Sequence, residues 1–266
     1  MRLKISHQTR YTYDEPVQYA LQQLRLTPKS RVGQSVVNWE TIVEGGTTEL
    51  EFTDQHNNHV ALISIEPELS EITITCQGEV ETSDTAGIIG EHGGYAPLWY
   101  FKRSTDLTEA GGLVTTLAEQ LGDGFEGDIA KLHALSLKIT ESVPYEKGQT
   151  SAVSSAEEAL KTGHGVCQDH AHIFISAARL LGFPARYVSG YLMMNDRIDQ
   201  DASHAWAEVH IDGIGWVGFD VSNGISPDER YVRVATGLDY KEAAPISGMR
   251  FGEAQESMVV SLQVQQ

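Results

Sequence analysis

The chain has 266 residues, 41% of them hydrophobic and 21% charged, enough for one large domain or two modest ones with ample core. Lys and Arg total 19 against 37 Asp and Glu, a formal net charge of −18. A surface this acidic repels phosphate backbones and anionic headgroups, which argues against nucleic acid and membrane as partners and reads most simply as solubility. Two cysteines, Cys76 and Cys167, could form one bridge but not a disulfide scaffold.

The opening MRLKISHQTRYTYDEP alternates polar and apolar residues and lacks the apolar run of a signal peptide. No run of about 18 apolar residues follows, so no transmembrane helix is expected. A reducing cytoplasm is the expected setting, and it leaves a thiol free.

Residues 1 to about 82 read as β. Leu3, Ile5 and His7, then Tyr11 and Tyr13, alternate in period two, and VVNWETIV, LEFTDQ, VALISIEP and EITITCQGEV repeat the pattern. DQHNNHV has the composition of a hairpin turn. Several short strands with turn signals predict a β-sandwich-like N-terminal domain over 1–90. Residues 83–97, rich in Gly and small residues, read as the connector to a second domain over 91–266.

Helical spacing then takes over. Leu113, Leu117 and Leu121 recur every four residues before Gly122. In DIAKLHALSLKITES, Asp128 suits an N-cap, and Ile129, Leu132, Leu135 and Ile139 make one apolar face. Ser154 and Glu157 fit an S-x-x-E capping box, with Gly163 as the stop. A further helix begins near Cys167, places Ala171, Phe174, Ala178 and Leu181 on one stripe, and ends at Gly182 and Pro184. Strand patterns close the chain: ARYVSGYLMM, SHAWAEVHI, GWVGFDV, YVRVATG and MVVSLQVQ.

Chemistry gathers at Cys167. The first turn of a helix offers unpaired backbone N–H groups and the positive end of the dipole, both of which favour thiolate over thiol. Gly163 and Gly165 allow a close backbone approach, and the Cys167 amide could donate to a developing oxyanion. A thiol attacking a carbonyl needs a base, and the base needs an orienting acceptor.

Alternation in SHAWAEVHI turns His204, Trp206, Glu208 and His210 to one face and Ala205, Ala207, Val209 and Ile211 to the core. In GWVGFDV, Trp216, Gly218 and Asp220 share a face. A three- or five-residue loop around Asp212 and Gly213 allows a register that pairs His204 with Asp220 and Glu208 with Trp216. Directly opposed residues stand about 5 Å apart at Cβ, within reach of an imidazole–carboxylate bond. The Cys167 helix is then expected across the His204 face.

Each residue also has a plain explanation. A helix-start cysteine is often a small buried hydrophobe, a strand histidine is often structural, and Asp220 could simply cap the turn before SNG. The three together in this order are much less common by chance.

These residues carry a resemblance. GVCQDHAHIFISAARLLGFPARYVSGYL, SHAWAEVHIDGIGWVGFDVSNG and YVRVATGLDYKEAAP resemble the bacterial transglutaminase-like superfamily, whose members are often described as candidate cysteine proteases. YTYDEPV and LRLTPKS resemble the β-rich N-terminal region of the same proteins, so the likeness spans nearly the whole chain. It implies an α+β chain with a papain-like core, Cys on a helix, and His and Asp on adjacent strands. By motif these are Cys167 in GVCQD, His204 in SHAW and Asp220 in GFD. One departure is His170, where an aromatic residue is expected.

His164, Cys167, His170 and His172 lie within nine residues and raise the question of zinc. His170 and His172 point different ways on a helix, so neither metal nor another cofactor is expected. Trp206, Gln168 and Tyr145 are candidates for lining the substrate groove, Trp206 equally as a core anchor. Asp169 reads as acidic help at a helix N-terminus.

The expected function is thiol-dependent acyl transfer on a peptide or amide substrate, with hydrolysis favoured because water is the concentrated acceptor. The alternatives are protein-glutamine transamidation and a non-catalytic peptide-binding scaffold. The oligomeric state is left open.

Overall fold

The computed structural model describes residues 1–266 except Gln18 and Glu253. The chain first lays down β1 (Arg2–Tyr13), β2 (Tyr19–Leu24), β3 (Gln34–Glu44), β4 (Gly46–Thr53), β5 (His59–Ile65), β6 (Glu71–Thr82) and β7 (Ile88–Gly90). A 3-10 turn at Leu98–Lys102 leads to α1 (Gly112–Glu119), α2 (Asp128–Ser142), α3 (Ala156–Thr162) and α4 (Cys167–Leu180). Then come β8 (Ala185–Leu192), β9 (Asp199–Gln200), β10 (His204–Ile211), β11 (Gly215–Phe219) and β12 (Tyr231–Gly237). A short α5 (Tyr240–Ala243) precedes β13 (Ile246–Phe251) and β14 (Glu256–Gln265).

The strands form three sheets, ordered β3-β6-β1-β14-β9, β13-β2-β5-β4 and β12-β8-β10-β11-β7. The first two make the sandwich that the alternation predicts, and the third is the antiparallel sheet against which α4 packs. The architecture is α+β.

Strands of the two parts interleave along the chain. The last two strands return to the sandwich. β14 pairs with β1 from Lys4↔Gln265 to Tyr13↔Glu256, and β13 pairs with β2. β7, in turn, leaves the N-terminal stretch and joins β11 of the third sheet. Without β14, β1 would present a long unpaired edge, which folded proteins avoid.

β1 also joins the layers. Its buried residues all lie on one face. Near the start of the strand, Leu3 and Ile5 pack with Val80, Leu262 and Val264 against Tyr191, Val232 and Val234 of the third sheet. Near its end, Tyr11 and Tyr13 pack with Ile63, Ile65, Ile72 and Ile74 inside the sandwich. His7 sits at the changeover, its Nδ1 2.9 Å from the Tyr191 hydroxyl.

α4 is the centre of the second core. Ile173, Phe174 and Ile175 are all fully buried, so the helix is enclosed all round rather than along one stripe. Leu132, Leu135 and Ile139 of α2 cover one side, and Ala205, Ala207, Val209, Val217 and Phe219 of the sheet cover the other.

The capping box falls one residue later than expected. SSAEE contains two overlapping S-x-x-E matches, and Ser155 with Glu158 forms the box at α3. Glu157 instead caps α1, accepting from the amides of Leu113 and Val114 at 2.8 and 3.1 Å.

Because β14 fills a position inside the sheet, Leu262→Ala should cost about 2–4 kcal/mol in urea unfolding. A cost under about 0.5 kcal/mol, the range of surface substitutions, would show that the tail strand is not integral.

Candidate active site

α4 begins at Cys167 because the residues before it are held extended. Gly163 ends α3 in the left-handed region at φ 74°, and Val166 is extended. Gly165 forms a bridge with Tyr145, with the Glu146 amide donating to its carbonyl at 2.8 Å. A Cβ at Gly165 would stand 2.8 Å from the Asp169 Cβ, so glycine is needed for this approach. Asp169 turns back on the helix start. Its Oδ2 accepts from the Val166 amide at 2.8 Å and from the Thr150 hydroxyl at 2.6 Å. The amides of Cys167 and Gln168 lie in the first turn, where no intrahelical acceptor exists.

The β10–β11 register differs from the expected one by two residues. Glu208 stands opposite Gly218 and His210 opposite Trp216. The loop is Asp212–Ile214, closed by Gly213 and Gly215 at φ 79° and 94°, so pairing starts at Ile211↔Gly215. A two-residue shift preserves side-chain parity. His204 and Asp220 are therefore on one face, meeting diagonally beyond the paired stretch rather than directly across it. The helices pack on the other face, that of Ala205 and Ala207, not on the His204 face. His204 is the first residue of β10, so its ring lies at the strand end, where the head of α4 can meet it.

His204 Nε2 and Asp220 Oδ2 are 2.6 Å apart, and both side chains are buried. Asp220 Oδ2 also accepts from the Tyr231 hydroxyl and from Asn223 Nδ2, each at 2.7 Å, and Oδ1 accepts from the Asn223 amide at 3.2 Å. Burial alone would raise the Asp220 pKa, but these bonds and the His204 charge outweigh it and lower it. Burial alone would likewise lower His204. The bonds to Asp220 and to the Cys167 thiol, with the charges on both, prevail and raise it to about 10. With Nε2 engaged by Asp220, Nδ1 is the nitrogen left for the thiol.

Residues 115–221 match the transglutaminase-like superfamily, and residues 3–81 match the bacterial transglutaminase-like N-terminal region. The chain thus carries a transglutaminase-like core behind a bacterial transglutaminase-like N-terminal region. An uncharacterized protein of Mycobacterium leprae is 27% identical over 276 residues, covering 99% of this chain and 98% of its own length. One from Mycobacterium tuberculosis is 27% identical over 285 residues, covering 97% and 90%. The crystal structure of a candidate cysteine protease from Cytophaga hutchinsonii superposes with a TM-score of 0.78 at 24% identity, covering 100% of this chain and 91% of that one. What the two chains share is the fold.

Around this transglutaminase-like centre the other residues fall into distinct places. Trp206 is 2% exposed and stacks on His204 at 6.2 Å between ring centroids, with Tyr231 edge-on to it at 5.5 Å. It shields the imidazole and is closed to substrate. Gln168 turns away, donating to the Ala152 carbonyl at 3.1 Å. Tyr145 is 52% exposed, and after burial the charges of Cys167 and Asp220 are the main influences raising its pKa to about 12. It is the one of the three with a free face beside the thiol.

The histidines near Cys167 diverge. His164 faces Glu146 at 2.8 Å. His172 Nε2 accepts from the Tyr240 amide at 3.1 Å. His170 spans the Val143 carbonyl at 2.7 Å and the Ser222 hydroxyl at 2.8 Å, a polar link that a phenylalanine could not make. Among the described residues, no group of three or more His, Cys, Asp or Glu could hold a metal.

Tyr231 and Asn223 are site residues that the sequence reading passed over. Asn223 sits in SNG, three residues past Asp220, the spacing of a turn cap. Tyr231 opens a strand with no chemical signal of its own.

The raised His204 pKa means that the folded protein holds a proton the unfolded chain releases near pH 6.5. The stabilisation from the pair is complete below about pH 6.5 and is lost as pH rises through about 10. Imidazole NMR should show His204 still protonated at pH 8, and Asp220→Asn should bring its titration down by more than one unit. An unchanged titration in Asp220→Asn would contradict the assignment of the shift.

Proposed function

We propose that the protein is a thiol hydrolase that cleaves an amide or peptide bond through Cys167, His204 and Asp220. The observation that carries this reading is the imidazole of His204 fixed at Nε2 by the buried Asp220 carboxylate at 2.6 Å, with the Cys167 thiol at the head of α4 near enough to help raise its pKa. This arrangement supports nucleophilic catalysis, in which nucleophile, base and orienting group act as a unit.

In the first step His204 holds the thiol proton and the Cys167 sulfur attacks the carbonyl carbon. The carbonyl electrons move to oxygen, where the first-turn amides of α4 can receive the charge. The C–N bond then breaks, and the amine leaves with the proton from His204. The acyl group remains as a thioester on Cys167. Water, deprotonated by His204, adds to the thioester, and the acid departs as the thiolate and imidazolium are restored. Asp220 stays ionised throughout, and Tyr231 and Asn223 keep it fixed.

Peptides are the favoured substrate class, since a peptide bond is the amide that this chemistry most often meets. Tyr145 is the favoured groove residue because its ring is accessible beside the thiol. A free thiol of this kind suits a reducing compartment, the cytoplasm by preference.

Two measurements test the reading. Iodoacetamide should label Cys167 near neutral pH at a rate that falls at least ~10-fold in His204→Ala. Cys76 should remain unlabelled in the folded protein, since it is fully buried and burial pushes its thiol up to about 11. Equal labelling of wild type and His204→Ala would remove the base from the account. In a peptide and amide library, Cys167→Ala should abolish turnover and Asp220→Asn should reduce it by on the order of 10²–10⁴. Adding a primary amine should leave the product a free acid; a product amide would make the enzyme a transamidase instead.

A further inference from the structure

A recess between the N-terminal sandwich and the third sheet is lined by Arg31, Gly33, Thr85, Trp206, Glu208 and Arg233, among others. Its volume is about 450 Å³ with the open mouth included. Its lining carries two arginines, Arg31 and Arg233, against two carboxylates, Glu208 and Asp228, so it is neutral where the chain as a whole is at −18.

Glu208 lies at the base, with no exposed surface. Both of its oxygens are taken. Arg233 Nε binds Oε1 at 2.6 Å and Arg233 Nη2 binds Oε2 at 3.0 Å, while Arg186 Nε binds Oε2 at 2.6 Å. Arg186 also lies over the Trp216 ring at 3.8 Å. Asp228, at the rim, is held by the Arg230 fork at 2.6–3.0 Å. The carboxylates of the recess therefore already have partners.

Arg31 does not share in these pairs. Its Nε is shut off from solvent and has no hydrogen-bond partner among the described residues. Burial lowers the guanidinium pKa to about 10, against only a partial counterweight from Glu208. Arg31 as a whole is partly exposed, but its Nε is a donor shut off from water without an acceptor, which costs free energy until a ligand supplies one.

Arg31 is also held in place by its neighbours. It closes a turn with Gln34, each amide donating to the other's carbonyl. Gly33 at φ 75° allows this turn, and a Cβ there would stand 2.8 Å from Thr85. The Gln34 side chain then pins the turn to β12, bonding both the amide and the carbonyl of Arg233 at 2.9 Å. The backbone that carries Arg31 is thus fixed before any ligand arrives, which limits the ordering cost of binding to that of one side chain.

We propose that this recess is a binding site for a small oxyanion, a phosphate or carboxylate group, with Arg31 as its principal ligand and Arg233 as a second cation. The planar fork of a guanidinium matches either group in geometry. The recess shares Trp206 and Tyr231 with the back wall of the His204–Asp220 pair, yet the proposal does not depend on the catalytic reading.

The test uses the full chain with Cys167→Ser, so that no turnover enters. Sodium phosphate and sodium acetate are titrated separately at ionic strength held constant with sodium chloride, and Tm is recorded. A saturable rise of about 3 °C or more is expected with at least one anion, and which anion acts separates phosphate from carboxylate. Arg31→Met should remove the rise while melting no lower than its parent in chloride alone. Arg31→Gln replaces it should the Met variant fail to fold. No saturable rise with either anion, an equal rise in the Arg31 variant, or a variant that melts several degrees lower in chloride would each overturn the site.

Discussion

A carboxylate with no access to solvent is the constraint on which the rest of this site depends. Asp220 remains ionised inside the protein because His204, Tyr231 and both nitrogens of Asn223 converge on it. Removing any one leaves part of a buried charge unsatisfied, at a cost of a few kcal/mol. The same convergence sets the imidazole. With Nε2 tied to the carboxylate, the orientation of the ring is set and Nδ1 is the nitrogen left free. The fold delivers these donors from separate elements: the turn after β11, the start of β12 and the first residue of β10. The sheet and the turn are in this sense the scaffold for one anion.

The N-terminal sandwich has a mechanical part in that scaffold. β1 and β14 press Leu3, Ile5, Leu262 and Val264 onto Tyr191, Val232 and Val234 of β8 and β12. β12 begins with Tyr231, and β8 holds β10 in register through His204↔Gly190. Gly190 leaves no spare room: a Cβ there would stand 2.2 Å from the Val232 carbonyl and 2.7 Å from the Trp206 ring. The sandwich thus braces the strands that carry the imidazole, its aromatic cover and the carboxylate's hydroxyl donor. The return of the chain terminus into the sandwich makes the two halves a single mechanical unit.

What was legible in the sequence followed from local rules. The β alternation of the first 82 residues, the helix beginning near Cys167, and the parity of His204 and Asp220 each depend on neighbours a few positions away. The placement of β13 and β14 was not legible, because strand partners across some 250 residues leave no local mark. The hairpin register was missed by two because Gly213 and Gly215 set where pairing begins, and alternation is blind to a shift of two. The plain and the chemical explanations of Asp220 proved compatible, since it caps the turn through Asn223 while it holds His204. Trp206 is on the face that alternation assigns, but only packing could tell that its ring stacks on His204. Arg31 and Arg233 are distant in sequence, and nothing in their spacing announces a shared recess.

The central claim, acyl transfer through Cys167, is tested most directly by trapping the intermediate. The protein is incubated with a peptide or amide substrate, quenched in acid within the first turnovers, and mapped by mass spectrometry. The account predicts an acyl adduct on the peptide that contains Cys167, released by hydroxylamine as a thioester is, and none on Cys76. Turnover with no adduct at Cys167, or an adduct that persists at another residue in Cys167→Ala, would contradict it.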